Sequence, residues 1–300
     1  MTDSIQPTDK NRPAASRVQW KTVSAISAAT WLATAQLSGC ADEQSSSTTT
    51  EPAMTDDAHS GHTTTPPATT GGEGAGGEGE GAATAGAEFA TDDAAYLTQL
   101  ALIRGHLAVG YALYQNDLPE LAETHMKHPR AEIYTIVEPA FAARGCSGFG
   151  DGLSALTASV TERGSQEQVT AAYESLVAGI SACEAGADTQ DPIIIAQVIE
   201  SLLRTAGIEY AIGVVDGKMD NLHEYQDAWG FTQIAQTWAQ SSAFATDPKA
   251  TAVAAQLQGL ISSLDGLWPS LNPEGGVDGK AAQLYGAAGQ VQVIALALTK

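Results

Sequence analysis

Cysteine is scarce in this chain, three in 300 residues, which excludes a disulfide-built scaffold. Basic residues are scarce too: 14 Lys and Arg face 35 Asp and Glu, for a formal net charge of −21. Without clustered Lys and Arg there is no footprint for a phosphate backbone, so nucleic acid is excluded as a partner. Aromatics are 6% of the residues, so the core must be built from Ala, Leu and Ile. No apolar run reaches the roughly 20 residues that cross a bilayer. There is no Gly-rich phosphate loop and no Gly-x-Ser-x-Gly elbow, and His223-Glu224 is followed by Asp227 rather than by the second His of a zinc peptidase. Hydrolase chemistry is therefore disfavoured, and no enzymatic activity is expected. What is present is a 43% hydrophobic fraction, enough for a substantial core.

The first forty residues read as an address. Lys10, Arg12, Arg17 and Lys21 form a basic start, and Val23 to Leu37 is uncharged and largely small or apolar. That is the profile of a secretory leader, too short to span. It ends in Leu37-Ser38-Gly39-Cys40, which resembles the lipobox of bacterial lipoproteins. The resemblance implies cleavage after residue 39, acylation of Cys40, and a membrane partner reached through that lipid. Ala41 follows the cysteine, so the periplasmic face of the outer membrane is the expected destination. Loss of residues 1–39 removes four cations and two anions, leaving a mature chain at −23.

Residues 40–91 read as a disordered tether rich in Ser, Thr, Gly and Glu, with too little apolar surface to offset its ordering entropy. His59 and His62 beside Asp56 and Asp57 form either a loose metal-catching patch or incidental tether residues.

Residues 92–300 read as a helical domain. Tyr96, Leu100, Ile103, Leu107, Tyr111 and Tyr114 fall on one 3.6-period stripe. Asn116-Asp117-Leu118-Pro119 breaks it as a helix-hairpin turn would. A second segment runs from Glu120 to Lys127, His128-Pro129 restarts a helix, and Gly145 stops it. Further helices are expected near 151–162, 166–184, 192–213, 219–243, 248–265 and 278–299. The fold class is all-α, antiparallel helix hairpins forming one or two up-down bundles. Val215-Asp216-Gly217-Lys218 recurs as Val277-Asp278-Gly279-Lys280, a turn opening a helix. The polar run after it, His223-Glu224-Tyr225-Gln226-Asp227, occurs in one copy alone. Cys146 and Cys183 are expected to form a disulfide in an exported protein, with catalytic or metal-binding thiols the alternative.

Two clusters could hold ligands. About the turn at Asp117, His106 and His128 are equidistant, with His125 and Glu132 a helical turn to either side of His128. Imidazole with carboxylate suits iron, copper or zinc; the alternative is a core histidine and two helix-end histidines. In the second cluster, Glu209 continues the inward stripe Ile195, Ile199, Leu202, Ala206, and Glu224 precedes the stripe Ala228, Phe231, Ala235, Trp238. Hairpin symmetry about Asp216 brings Glu209, His223 and Glu224 together, with Asp227 one turn on. Inward carboxylates need a metal or a cationic partner, and Arg204 and Lys218 are the available cations.

The stretch Asp216 to Phe231, with a Gly-Lys turn before a Glu-Tyr helix start and an aromatic residue, is similar to the periplasmic N-terminal region of bacterial iron permeases. The exported all-helical setting also resembles imelysin-like proteins, although their Gly-x-His-x-x-Glu signature and an Arg-Glu-x-x-Glu iron motif are missing. The resemblance implies metal handling, with Glu224 and Tyr225 as site residues. The leading expectation is a lipid-anchored envelope protein that binds a transition metal ion in uptake or homeostasis. The alternative is a non-catalytic envelope module that binds a protein partner and no metal; an enzyme would need an open metal position and a substrate cleft.

Overall fold

A computed structural model describes residues 80–299 of the chain. The leader, Cys40 and residues 40–79 of the expected tether lie outside the described residues. The helices in order are α1 (Glu80–Thr91), α2 (Asp93–Gln115), α3 (Pro119–Pro129), α4 (Thr135–Val137), α5 (Phe141–Arg144), α6 (Gly150–Thr161), α7 (Gln166–Glu184), α8 (Pro192–Gly213), α9 (Leu222–Trp238), α10 (Pro248–Ser262) and α11 (Ala281–Ala295). Local sequence accounts for most of the starts. Asp92, Asp191, Asn221 and Asp247 each cap a helix by accepting a backbone N–H, and Ser165 forms a reciprocal capping box with Gln168.

The helices pack as two four-helix arrays, one of α2, α3, α6 and α7 and one of α8 to α11. The arrays meet where α2 lies along α8 and α9. Their cores are continuous: Leu100, Ile103, Leu107, Ile199, Leu202, Ala206 and Ala228 are all essentially inaccessible to water.

Several expectations need correcting. Residues 80–91, expected as the end of the tether, form α1, because Phe89 has apolar surface to bury and does so against the core. His128-Pro129 does not restart a helix. Pro129 ends α3, and the chain continues through a five-residue π-helical turn, Arg130–Tyr134, then α4, a 3-10 turn and α5. Pro129 has no N–H for the ladder, so the helix shifts register instead of breaking. Gly145, at φ 68°, then stops the run. The expected helix 219–243 begins at Leu222, because a two-stranded hairpin precedes it: β1 (Val214–Val215) pairs with β2 (Lys218–Met219). Asp216 and Gly217 at its tip have φ 50° and 73°, the mirror-image turn that suits a tight hairpin. The second copy of the repeat, Asp278-Gly279-Lys280, makes no such turn. Its neighbour Val277 instead donates its N–H to the Gly217 carbonyl at 3.1 Å, so the two copies meet rather than match.

Ala281–Thr299 is uncharged, helical and 19 residues long, enough by length and composition to cross a bilayer, contrary to the expectation from sequence. In the fold, Leu284, Ala287, Ala288 and Val291 pack inward while Gln283, Gln290 and Gln292 are exposed, which is the pattern of a bundle helix. Cys146 and Cys183 are bonded, with Cα atoms 4.6 Å apart, tying the end of α5 to the end of α7. Beside them Tyr96 donates its hydroxyl to the Cys183 carbonyl, and the buried Arg144 pairs with Asp93, donates to the Phe89 carbonyl and lies over the Tyr96 ring.

Candidate metal centre

Two glycines set the geometry of the junction between the arrays. A Cβ on Gly230 would overlap the Gly105 carbonyl oxygen, and a Cβ on Gly105 would overlap the Phe231 ring. Only glycine lets the backbones of α2 and α9 approach this closely. That approach carries His106 of α2 onto Asp227 of α9.

Asp227 is the hub. Its side chain is 1% exposed. His106 Nδ1 lies 2.7 Å and His125 Nδ1 2.9 Å from Asp227 Oδ1. His223 Nδ1 lies 3.2 Å from Asp227 Oδ2 and 3.8 Å from Glu224 Oε1. The His125 and His223 rings are parallel, 4.2 Å apart, and each turns Nδ1 toward a different oxygen of the same carboxylate. His128 packs on the outer side of His223, ring centres 4.4 Å apart, and its Nδ1 reaches Glu132 Oε1 at 3.2 Å. Glu209 of α8 adjoins Glu224, near enough for the two carboxyl groups to influence each other. The site thus grades from buried His106, His125 and Asp227 through half-buried His223, Glu224 and Glu209 to exposed Glu132.

Two further side chains hold this arrangement. Gln226 donates its amide to the Leu271 carbonyl at 2.7 Å, which turns its oxygen toward His125 Nε2, 2.8 Å away. His125 therefore carries its proton on Nε2. Asn221 caps α9 through the His223 N–H and donates to Glu224 Oε1 at 3.4 Å.

The electrostatics follow from burial and neighbours. Burial lowers the pKa of His125 and outweighs the pull of Asp227, so this ring is neutral. Burial opposes ionisation of Asp227 as well, but the close contact with His106 above all holds it far below the usual carboxylate range. At His223 burial is outweighed by the neighbouring Glu224 and Asp227 carboxylates, so the imidazolium is favoured. The nearby His223 in turn keeps the Glu224 carboxyl low. Glu209 is pushed up to about 8, first by burial and then by the neighbouring Glu224 carboxyl.

The donor set fits a transition metal. Ligands held tetrahedrally at 2.0–2.2 Å from one ion lie about 3.3–3.6 Å from one another, and the separations of 2.7, 2.9, 3.2 and 3.8 Å bracket that spacing. With Nε2–H given to Gln226 and the ring neutral, His125 Nδ1 presents a lone pair to an ionised carboxylate oxygen. Two electron-rich atoms that close, both buried, call for a cation between them. The amide–imidazole contact is also the outer support that metal-binding histidines use to fix their tautomer.

All eight residues singled out from the sequence, His106, His125, His128, Glu132, Glu209, His223, Glu224 and Asp227, fall in this one region. They form one cluster, not two, because α2 and α9 are in contact and the hairpins that were read separately share Asp227. Arg204 and Lys218 do not neutralise the carboxylates: Arg204 pairs with Glu200 on the solvent side of α8, and Lys218 is exposed on β2. Tyr225 is not at the site. It points the other way into the C-terminal core and donates to the Ser270 carbonyl at 2.8 Å. Gln226 and Asn221 were not singled out; membership of the polar run unique to one repeat copy was the available signal for Gln226.

Comparison with known proteins bears on half of this site. No curated protein and no solved structure matches the chain. Residues 185–295, which contain α8 to α11, match the family model of the iron permease-associated 4-helix bundle domain. The matched region supplies Glu209, His223, Glu224 and Asp227, while His106, His125, His128 and Glu132 come from helices outside it, so the C-terminal array resembles the iron permease-associated bundle and the junction site extends beyond it.

Proposed function

We infer that this chain binds a transition metal ion, iron, copper or zinc, at the junction of its two arrays and serves metal uptake or homeostasis at the cell envelope. The observation that carries the reading is the contact of His125 Nδ1 with Asp227 Oδ1, in which Gln226 fixes the proton on the opposite ring nitrogen. His106, His125 and Asp227 would be the buried ligands, with their donor atoms all within 4.8 Å of one another. The resemblance of residues 185–295 to an iron permease-associated bundle supports iron as the cargo and transport as the context. Acylation of Cys40 would hold the chain at a membrane, on the outer-membrane side by the residue that follows it. No chemistry is required of the ion; the protein is read as a binder, not an enzyme.

Chelator-stripped protein should take up iron, copper or zinc stoichiometrically, and Asp227→Asn should weaken uptake by at least tenfold. Absence of uptake of all three metals would end this reading.

The second reading, an envelope interaction module, draws on Ile208, Ile212, Val215 and Tyr285, large apolar side chains that are each more than two-fifths exposed on or beside α8 and α11. Ile212→Asp would disrupt a partner contact there while leaving metal uptake intact.

A further inference from the structure

Asp227 is a two-sided ligand, and its two oxygens face different donor sets. Oδ1 faces His106 and His125. Oδ2 faces His223, with Glu224 beside it, and His223, Glu224 and Asp227 form a second group whose donor atoms lie within 4.8 Å of one another. The two groups share Asp227 alone.

The second side has its own unmet polar demand. Asp227 Oδ2 is buried and has no hydrogen-bond partner: His223 Nδ1 is near, but out of line for a hydrogen bond. His223 Nε2 is also buried and without a partner. Native interiors rarely leave such atoms unpaired, because each costs the full desolvation of its group. The cluster therefore has a buried carboxylate oxygen and an imidazole left over after the His106–His125 side is accounted for.

We propose that Asp227 bridges two cation positions: an inner one with His106 and His125, and an outer one with His223, Glu224 and, adjoining it, Glu209. This rests on the metal reading above and deepens it from one ion to two. The positions differ in chemistry. The inner one is nitrogen-rich and closed to solvent; the outer one is oxygen-rich, half-buried and continuous with His128 and Glu132 at the surface. Imidazole-rich sites suit zinc, copper or iron, whereas carboxylate-rich sites also accept harder divalent ions such as manganese. An ion arriving from solvent meets the outer donors first, and the bridging carboxylate joins that position to the inner one.

The test is a count. The full chain, stripped with a chelator and titrated with Zn²⁺, is measured for bound metal by elemental analysis and calorimetry, with folding of every variant followed by circular dichroism. The wild type is expected to hold two ions of distinct affinity that His125→Ala and Glu224→Gln each reduce by one. One ion in the wild type, abolished by His125→Ala and unaffected by Glu224→Gln, overturns the outer position and leaves the single-metal reading intact. No bound ion in titrations repeated with Fe²⁺ and Cu²⁺ as well as Zn²⁺ overturns both. Two ions retained in both variants place the metal elsewhere and overturn the bridge.

Discussion

His125 and His223 come from helices of different arrays, yet their rings lie face to face with planes 8° apart. Two stacked imidazolium rings would repel at that distance, so at most one of them is charged. Burial makes His125 the neutral member, and the carboxylates around His223 make it the charged one. The two rings therefore meet a metal differently. His125 offers a lone pair at once, whereas His223 must lose a proton before it can do the same. Metal binding should accordingly release protons.

The lone pair on His125 depends on Gln226. Replacing Gln226 with Leu removes the acceptor that fixes the proton on Nε2 and frees the ring to take the other tautomer, with Nδ1–H donating to Asp227. Loss of such an outer contact lowers metal affinity by about 10–100-fold. The bare Leu271 carbonyl adds a stability cost of about 1–3 kcal/mol. Competition against a chromogenic chelator measures the first effect and urea unfolding the second. An unchanged affinity beside lowered stability would reduce Gln226 to a fold residue.

The α2–α9 approach sets the distance from His106 to Asp227. Gly230→Ala forces a methyl into the Gly105 carbonyl and Val109. Overpacking of this kind costs about 1–3 kcal/mol, and separation of the helices should weaken metal binding alongside. Gly259, in the last turn of α10 with nothing near the position of a Cβ, is the control. Gly259→Ala should stabilise by up to about 1 kcal/mol through helix propensity and leave metal affinity alone. Equal effects of the two substitutions on affinity would refute the argument from close approach.

The disulfide should behave independently of the metal. Cys146 and Cys183 are 37 residues apart in sequence. Closing a loop of that length stabilises by about 4 kcal/mol in the chain-entropy model. The bond packs near Tyr96, ten residues along α2 from His106, or about 15 Å of helix. Cys146→Ser with Cys183→Ser should lower the unfolding temperature markedly and leave the number of bound ions unchanged. A fall in metal stoichiometry in the folded double variant would mean that the thiols take part in binding.

The parts of this fold that were legible in the sequence are those set by local physics. Helix extents from α6 to α8 followed from apolar period and caps, because Ser165, Asp191 and Pro192 act within one turn of where they sit. The inward placement of Glu209 and Glu224 followed from the stripes they extend. What stayed hidden was non-local. No pattern in α2 or α9 says that Gly105 and Gly230 touch, and without that contact the two candidate clusters are separate. Tyr225 was misread because two neighbouring positions on a helix point in different directions, so a motif match that takes in Glu224 says nothing about where Tyr225 faces. Phe89 was hidden by composition: one buried aromatic anchors a segment whose average is that of a linker.

Glu209 links the site to pH. Its carboxyl is ordinarily half-ionised near 4.5 but holds its proton up to about 8 in the fold. A group whose folded pKa lies above its unfolded value binds more protons folded than unfolded, so metal-free stability falls as pH rises between those limits. His223 acts in the same direction, since its pKa is also raised in the fold. Urea midpoints taken with chelator at pH 7 and 8 should therefore decline, whereas below about pH 6.5 the lowered pKa of His125 pulls stability the other way. Glu209→Gln cannot ionise and should decline less, keeping only the part due to His223. Metal reverses the trend, because the ionised Glu209 and deprotonated His223 that strain the empty site are the forms a cation needs, so affinity for Zn²⁺ should climb over the same range. Identical slopes in wild type and Glu209→Gln would show that Glu209 is not the group that titrates.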